Sequence, residues 1–376
     1  MPKDESTPRA ADARGDGNAP GAPSRRARFR GRRTLRLVCA GLALLLGLAG
    51  VAGWLAYRKI DGNIRTDEAT AAALAEHGVD RPARHPGRAR NILLLGSDWR
   101  EEAGSGRSDT VMLLHLAADR RRAEVLSVPR DLRVDVPSCP RADGSHSRAQ
   151  NAQFNWAFQF GGAACTIRTL EKLTGIRIDH HLIVDFQGFT RIVDAVGGVE
   201  VDLEKPEHDP NVGLDLDAGR HLLKGRTALS YVRARKYVGD GSDLNRISRQ
   251  QDFVNRLVAK IRGNGTLSNP ARLYPVLDAA TAALTADSGL DSLGELYEVA
   301  DSLRALPPGA LTFTTLPHHQ AQDHWYRLDL EQPEARRVFE AVRKDQPVLA
   351  ALERARREPP EENPEPEYEP VHDAYE

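Results

Sequence analysis

Arginine and aspartate recur in this chain in short clusters, each placed where a run of aliphatic residues stops or starts. Three of them read Gly96-Ser97-Asp98-Trp99-Arg100, Gly106-Arg107-Ser108-Asp109-Thr110 and Pro129-Arg130-Asp131. A fourth, Tyr231-Val232-Arg233-Ala234-Arg235, precedes a Gly- and Asp-rich segment from Gly239, in which Asp243, Arg246, Arg249 and Gln250 open a stretch of helical spacing. Guanidinium forks grip phosphate oxygens two at a time. Carboxylates joined by phosphate oxygens make the hard oxygen shell that Mg²⁺ prefers. The set therefore suits a pyrophosphate and a divalent cation. Taken singly, each residue reads equally well as a surface ion pair or a helix cap, worth about 0 to 1 kcal/mol. What favours a site is the placement of the whole set at strand ends and one helix start, where α/β sheets bind ligands.

The elements that must hold these residues are legible from hydrophobic period. Asn91–Leu95, Val111–Leu116 and Ala123–Val128 are short, nearly continuous apolar runs and read as buried strands, with further strands at Leu182–Phe186, Val199–Leu203 and Leu311–Leu316. Helical spacing marks Phe154–Phe160, Thr166–Leu173, Phe189–Val196, Arg226–Ala234, Leu244–Ile261, Ala271–Leu284, Leu293–Leu306 and Pro333–Arg343. Strands alternating with helices predict an α/β fold, a mixed central sheet covered by helices on both faces. On an extended segment Arg233 and Arg235 face the same way, whereas on a helix they diverge by about 200°; the preceding helix is expected to end before them. Asp243 reads as the N-cap of the next helix, with Arg246 and Gln250 stacked at i and i+4 near its anion-attracting end.

Around this middle the composition changes sharply. The formal net charge of −1 over 376 residues conceals an Arg-rich start and an acidic, Pro-rich end. Leu37–Tyr57 is an uncharged apolar run, and about 20 such residues cross a bilayer as a helix. A cleaved signal peptide is the alternative, but the run is long for an h-region and begins late. Arg25, Arg26, Arg28, Arg30, Arg32, Arg33 and Arg36 precede it, so the positive-inside rule puts the N-terminus in the cytoplasm and the remainder outside. No helix-turn-helix or zinc pattern accompanies these arginines, which reads as a topology signal rather than a nucleic-acid arm. The expected layout is a basic disordered cytoplasmic tail at 1–36, a membrane helix at 37–57, a connector at 58–89, a catalytic domain at 90–350 and an acidic disordered tail at 351–376.

Cys39 lies within the apolar run, which leaves Cys139 and Cys165 as the only cysteines outside it, where a disulfide is permitted; a catalytic thiol is the rival reading. The chain shows no internal repeat, no Walker-type loop and no GxSxG, and the His180-His181 and His318-His319 pairs lack zinc-ligand spacing.

Taken in order, the segments from Ala89 to Ile261 resemble the LytR-CpsA-Psr family, and the likeness extends to about Arg343. The ordered series of Gly-Ser-Asp, Gly-Arg-Ser-Asp-Thr, Pro-Arg-Asp, Arg-x-Arg, Gly-Ser-Asp and Arg-Gln-Gln carries it, and so does the layout of basic tail, single span and exported α/β domain. Asn245 stands where many members have Gly, and the additional C-terminal domain of some members is not expected here. The resemblance implies transfer of a polyprenyl-pyrophosphate-linked glycopolymer, of teichoic acid, capsule or arabinogalactan type, onto peptidoglycan. It implies that Asp98 and Asp109 hold Mg²⁺ (or Mn²⁺), and that Arg107, Arg130, Arg233, Arg235, Arg246 and Gln250 grip the pyrophosphate, with Asp243 a metal or base residue. A pyrophosphatase using the same site with water as acceptor, and a non-catalytic lipid- or wall-binding regulator, are the rival functions.

Overall fold

A computed structural model describes residues 25–97, 106, 108–141, 143–235, 237, 243–263, 265–266, 269–324 and 327–357; for 25–36, 79, 243 and 244 only the backbone is considered. The chain divides into two units, Met1–Tyr57 and Arg58–Glu376. Helix α1 (Arg25–Asp61) contains the apolar run; its stretch Leu37–Asp61 has a mean hydropathy of 2.1, and its residues Leu37–Leu55 are exposed. A helix of that length and composition can cross a bilayer. It continues past Tyr57, and Arg58 and Lys59 in its last turn complement the negative end of the helix dipole.

The second unit is built on a seven-stranded mixed sheet. Its strands are β1 (Arg65–Thr66), β2 (Arg90–Ser97), β3 (Ser108–Leu116), β4 (Ala123–Val128), β7 (His180–Asp185), β12 (Leu284–Ala286) and β13 (Leu311–Thr315), in the spatial order β1-β12-β7-β2-β3-β4-β13. The pairs β1/β12, β7/β2 and β4/β13 are parallel and the other three antiparallel. Short pairs flank it: β5 (Arg133–Val136) with β6 (Gln150–Gln153), β8 (Val199–Leu203) with β11 (Gly219–Leu223), β9 (Glu207–Asp209) with β10 (Leu214–Leu216), and β14 (His318–Gln320) with β15 (Leu328–Leu330). The helices of this unit are α2 (Glu68–Glu76), α3 (Trp156–Thr174), α4 (Phe186–Ala195), α5 (Gly225–Arg233), α6 (Asp243–Gly263), α7 (Pro270–Thr281), α8 (Leu293–Arg304), α9 (Glu334–Arg343) and α10 (Val348–Arg357).

The near-continuous apolar strands are explained by burial on both faces. Leu93 and Leu95 of β2, Val111 and Leu113 of β3, and Leu126 and Val128 of β4 join a core with α3, α9 and α10. Their alternate neighbours Ile92, Leu114 and Val125 join a second core that takes in Leu296, Val299 and Leu303 of α8. The two-residue period of a strand thus splits each run between two layers. A third core of Val193, Val199, Leu203, Tyr231 and Phe253 joins α4, α5 and α6 to the β8/β11 pair.

Both boundaries of the folded unit lie outside those expected. The segment 58–89, read as a connector, supplies Ile64 to the second core, β1 to the sheet edge and α2 to a cavity wall. At the other end α10 runs into the segment read as a disordered tail and buries Ala351, Leu352 and Ala355. The remainder of that tail, 358–376, lies outside the described residues.

Cys139 and Cys165 are joined, with a Cα separation of 5.5 Å. Their bond pins the loop before β6 onto α3 at Gly161, where an added Cβ would stand 2.8 Å from the Pro140 carbonyl. Only glycine fits there. Closing a loop of 26 residues limits the unfolded chain by about 3.5 kcal/mol in the loop-entropy account. Cys139→Ala/Cys165→Ala is therefore expected to lose about 2 to 4 kcal/mol in urea unfolding, and reductant should destabilise the wild type alone.

A second cross-link runs through two carboxylates. Asp67 N-caps α2 through the Thr70 N–H at 3.0 Å, and its other oxygen lies 3.1 Å from Nε2 of buried His181. Asp287 accepts from the His181 N–H at 2.6 Å and the Gly289 N–H at 2.8 Å, and pairs with His180 Nδ1 at 3.0 Å. Burial pushes both carboxyls up, but the histidine and backbone donors outweigh it and leave both below the ordinary aspartate value. Depressed carboxyls stabilise the fold fully above the unfolded value of about 3.9, and the contribution is lost as pH falls through the lower folded value. Asp67→Asn should flatten the decline of unfolding free energy as pH falls below about 4; an unchanged acid slope would show that the carboxylate is not stabilised there.

Candidate functional site

The clusters at the ends of β2 and β4 and the start of β3 meet because antiparallel β2/β3 and β3/β4 pairing puts those three points at one edge of the sheet. The register of β2 on β3 shifts between Gly96 and Ser97, and the Ser108 hydroxyl donates to the carbonyls of Gly96 at 3.2 Å and Thr110 at 3.0 Å. That irregularity fixes the backbone on either side of Asp109.

Asp109 sits among arginines. Its Oδ1 accepts from Arg130 Nη1 at 2.8 Å, and its Oδ2 lies 4.0 Å from Arg233 Nη2. Arg130 Nε also lies 3.7 Å from Asp131 Oδ1, while Asp131 Oδ2 pairs with Arg235 Nη2 at 2.8 Å. Buried Arg246 points its Nη2 at the Asp109 carbonyl, 3.4 Å away. Gln250 spans the two halves, accepting from Thr110 Oγ1 at 3.3 Å and donating to the Val232 carbonyl at 3.1 Å. The Arg233 guanidinium lies 4.7 Å from the centre of the Phe186 ring, a cation–π contact.

Helix α5 does not stop before Arg233 as the sequence predicts; Arg233 is its last residue and Ala234 turns to φ −59°, ψ 136°. Past that turn the backbone needs new partners. Arg249 Nη1 donates to the Ala234 carbonyl at 2.7 Å, and Asp209 Oδ2 accepts the Arg235 N–H at 2.9 Å. Arg249, stacked over Tyr231 and 3.3 Å from Asn245 Oδ1, is almost wholly buried. It serves the backbone that aims Arg233 and Arg235. Neither this role nor that of Asp209 is visible from a residue type or spacing, because both depend on how the loop folds back.

Of the residues singled out from sequence, Asp109, Arg130, Arg233, Arg235, Arg246 and Gln250 are brought together. Asp98 and Arg107 lie outside the described residues, and so does the Asp243 side chain, although α6 begins at that position. Asp131, quoted with Arg130 but given no role, holds Arg235 in place. Among the described residues the Asp109 Oδ2 has only the long Arg233 contact.

Beside the cluster opens a cavity of about 1820 Å³, lined by Ser97, Phe186 and Arg233 near the cluster and by Phe158, Phe160, Ile183 and Leu229 among others. Drug-sized ligands occupy about 300 to 1,000 Å³. The cavity wall mixes apolar side chains with charged ones, Arg233 among them.

The second unit is thus an α/β domain with an arginine–aspartate cluster at one end of its central strands and a large cavity beside it. The LytR_cpsA_psr family matches residues 58–344, and the chain belongs to that family. It is 32% identical over 324 residues to the cell wall biosynthesis protein LcpA of Corynebacterium glutamicum, an alignment covering 76% of this chain and 60% of that one. The chain thus spans less than two thirds of that relative's length. It is 31% identical over 267 residues to the polyisoprenyl-teichoic acid–peptidoglycan teichoic acid transferase TagU of Halalkalibacterium halodurans, covering 71% and 80%. A solved LytR-Csp2A-Psr enzyme from Actinomyces oris aligns at a TM-score of 0.54 with 26% identity, over 70% of this chain and 93% of that one.

Arg249→Ala should cost about 2 to 3 kcal/mol, since it removes a charged donor from a buried carbonyl. Arg249→Lys keeps the charge without the fork and is expected to fall between the two, as measured by urea unfolding at neutral pH.

Proposed function

We propose that this protein is a Mg²⁺-dependent phosphotransferase that moves a polyprenyl-pyrophosphate-linked glycopolymer onto peptidoglycan outside the cell. The observation that carries the reading is the convergence of Arg130, Arg233, Arg235 and Arg246 on Asp109 and Asp131 at the lip of a large, partly apolar cavity. A lipid diphosphate has the two chemistries that such a site offers. The name of the TagU relative, a teichoic acid transferase acting on peptidoglycan, supports the class of donor and acceptor. The apolar helix after an arginine-rich start supports a single-span anchor, N-terminus inside and catalytic unit outside.

In this reading the prenyl chain lies in the cavity and the diphosphate at its lip. An acceptor hydroxyl of peptidoglycan attacks the sugar-side phosphorus in line; a new O–P bond forms, the P–O bond to the bridging oxygen breaks, and prenyl monophosphate leaves with that electron pair. Asp243 takes the hydroxyl proton. Arg233 and Arg235 neutralise charge as it gathers on the leaving phosphate, and Arg107, Arg130 and Arg246 with Gln250 hold the group in line. Asp98 and Asp109 would hold Mg²⁺, which supplies a hard Lewis acid for the phosphate oxygens when bound. The arginines rest on carboxylates beforehand, so little reorganisation is needed when the diphosphate arrives.

The test uses the detergent-solubilised full chain with a polyprenyl-diphosphate glycan, peptidoglycan and Mg²⁺. Arg233→Ala and Arg235→Ala should each slow transfer by about 30-fold to 10³-fold, with partial recovery in the lysine variants. Asp109→Ala should instead raise the Mg²⁺ concentration needed for half-maximal rate. Wild-type rates in all three alanine variants, with folding intact, would sink the assignment, and release of free glycan with no label on peptidoglycan would replace it with a pyrophosphatase.

A further inference from the structure

Away from the sheet edge, two histidines and a glutamate converge from segments distant in sequence. Glu76 closes α2, His77 is its C-cap, and His146 lies in the loop between β5 and β6; one potential ligand atom from each falls within 4.8 Å of the other two. None of the three side chains has a hydrogen bond or ion pair with another described residue. His77 Nε2 is moreover shielded from solvent without a partner. A shielded ring nitrogen with no protein partner is costly, and a bound ligand would satisfy it.

Both sides of the cluster have a fixed backbone. The His77 N–H bonds to the Ala75 carbonyl, and its own carbonyl accepts from the Asp80 N–H at 3.1 Å. His146 sits at the neck of a tight loop, bridged to Pro140 and closed by Ser147 N–H to the Cys139 carbonyl at 2.8 Å. The Cys139–Cys165 bond anchors that loop to α3. Two imidazoles and one carboxylate, with a fourth position open, suit Zn²⁺; Mg²⁺ and Ca²⁺ prefer all-oxygen shells. Zn–N and Zn–O bonds of about 2.0 to 2.2 Å require the three atoms to close in slightly, which the exposed Glu76 and His146 side chains can do by rotation.

We propose that Glu76, His77 and His146 form a Zn²⁺ site that fastens α2 to the 139–147 loop. Both segments are walls of the large cavity: α2 contributes Ala69, Thr70 and Ala73, and the loop Pro140, Arg141 and Asp143. The metal would therefore tie two walls of the cavity to each other. The site is independent of the transfer reading, since it lies apart from the arginine cluster and uses none of its residues.

The test is Zn²⁺ titration of the detergent-solubilised full chain, carrying no histidine tag, against a chromophoric chelator in millimolar Mg²⁺. One equivalent is expected to bind, with affinity falling at least about tenfold in Glu76→Gln, His77→Gln and His146→Gln. Zn²⁺ should raise the thermal midpoint of the wild type and slow amide exchange in α2 and 139–147 together. Without Zn²⁺ the variants should unfold at the wild-type temperature, which separates lost binding from lost folding. No bound Zn²⁺ in the wild type, or equal affinity in the variants, would overturn the proposal, as would Zn²⁺ protection confined to one of the two segments.

Discussion

Arginines repel one another, and the carboxylates of Asp109 and Asp131 are what allow Arg130, Arg233 and Arg235 to share one edge of the sheet. Two unit charges about 6 Å apart at an effective dielectric of about 20 oppose each other by roughly 3 kcal/mol, enough to disperse unpaired side chains. The carboxylates offset that repulsion and hold each guanidinium in a fixed direction. They also leave the cluster with an excess of positive charge toward the cavity. A dianion arriving in the proposed reaction would meet donors already aimed.

The sheet supplies the frame for this arrangement. Asp109 belongs to the first residues of β3, and Arg130 and Asp131 follow β4 directly, so their backbones are set by strands buried on both faces. Arg233 and Arg235 come instead from a helix end held by Arg249 and Asp209, and Gln250 ties that end back to Thr110. The two halves of the site thus rest on different cores. Gln250 is the side chain that joins them, bonded to Thr110 on one side and to the Val232 carbonyl on the other.

Residues fixed by local pattern were legible in the sequence, and those fixed by long-range return were not. Strand β4 is found where the apolar run Ala123–Val128 placed it, because a run buried on both faces leaves no ambiguity of period. Arg246 and Gln250 share a helix face as i, i+4 spacing requires. Helix α5, by contrast, runs one residue further than expected, since nothing local forbids a helical Arg233 and the stop is imposed by Arg249 from the next helix. Edge strand β1 has two residues, too few for any period, and its place depends on pairing with β12 over two hundred positions later in the chain. The Glu76–His77–His146 cluster is likewise invisible as a spacing, because the loop that brings His146 to α2 is set by the disulfide.

In the proposed reaction the arginine cluster binds a diphosphate whose prenyl chain fills the adjoining cavity. The most direct test is calorimetric titration of the full chain, in Mg²⁺, with a prenyl diphosphate and the monophosphate of the same chain length. The second phosphate engages forks that the first cannot reach alone, so the diphosphate should bind at least about tenfold more tightly, a difference of about 1.4 kcal/mol or more. Equal affinity for the two ligands would mean that the cavity alone binds the lipid, and would contradict the account.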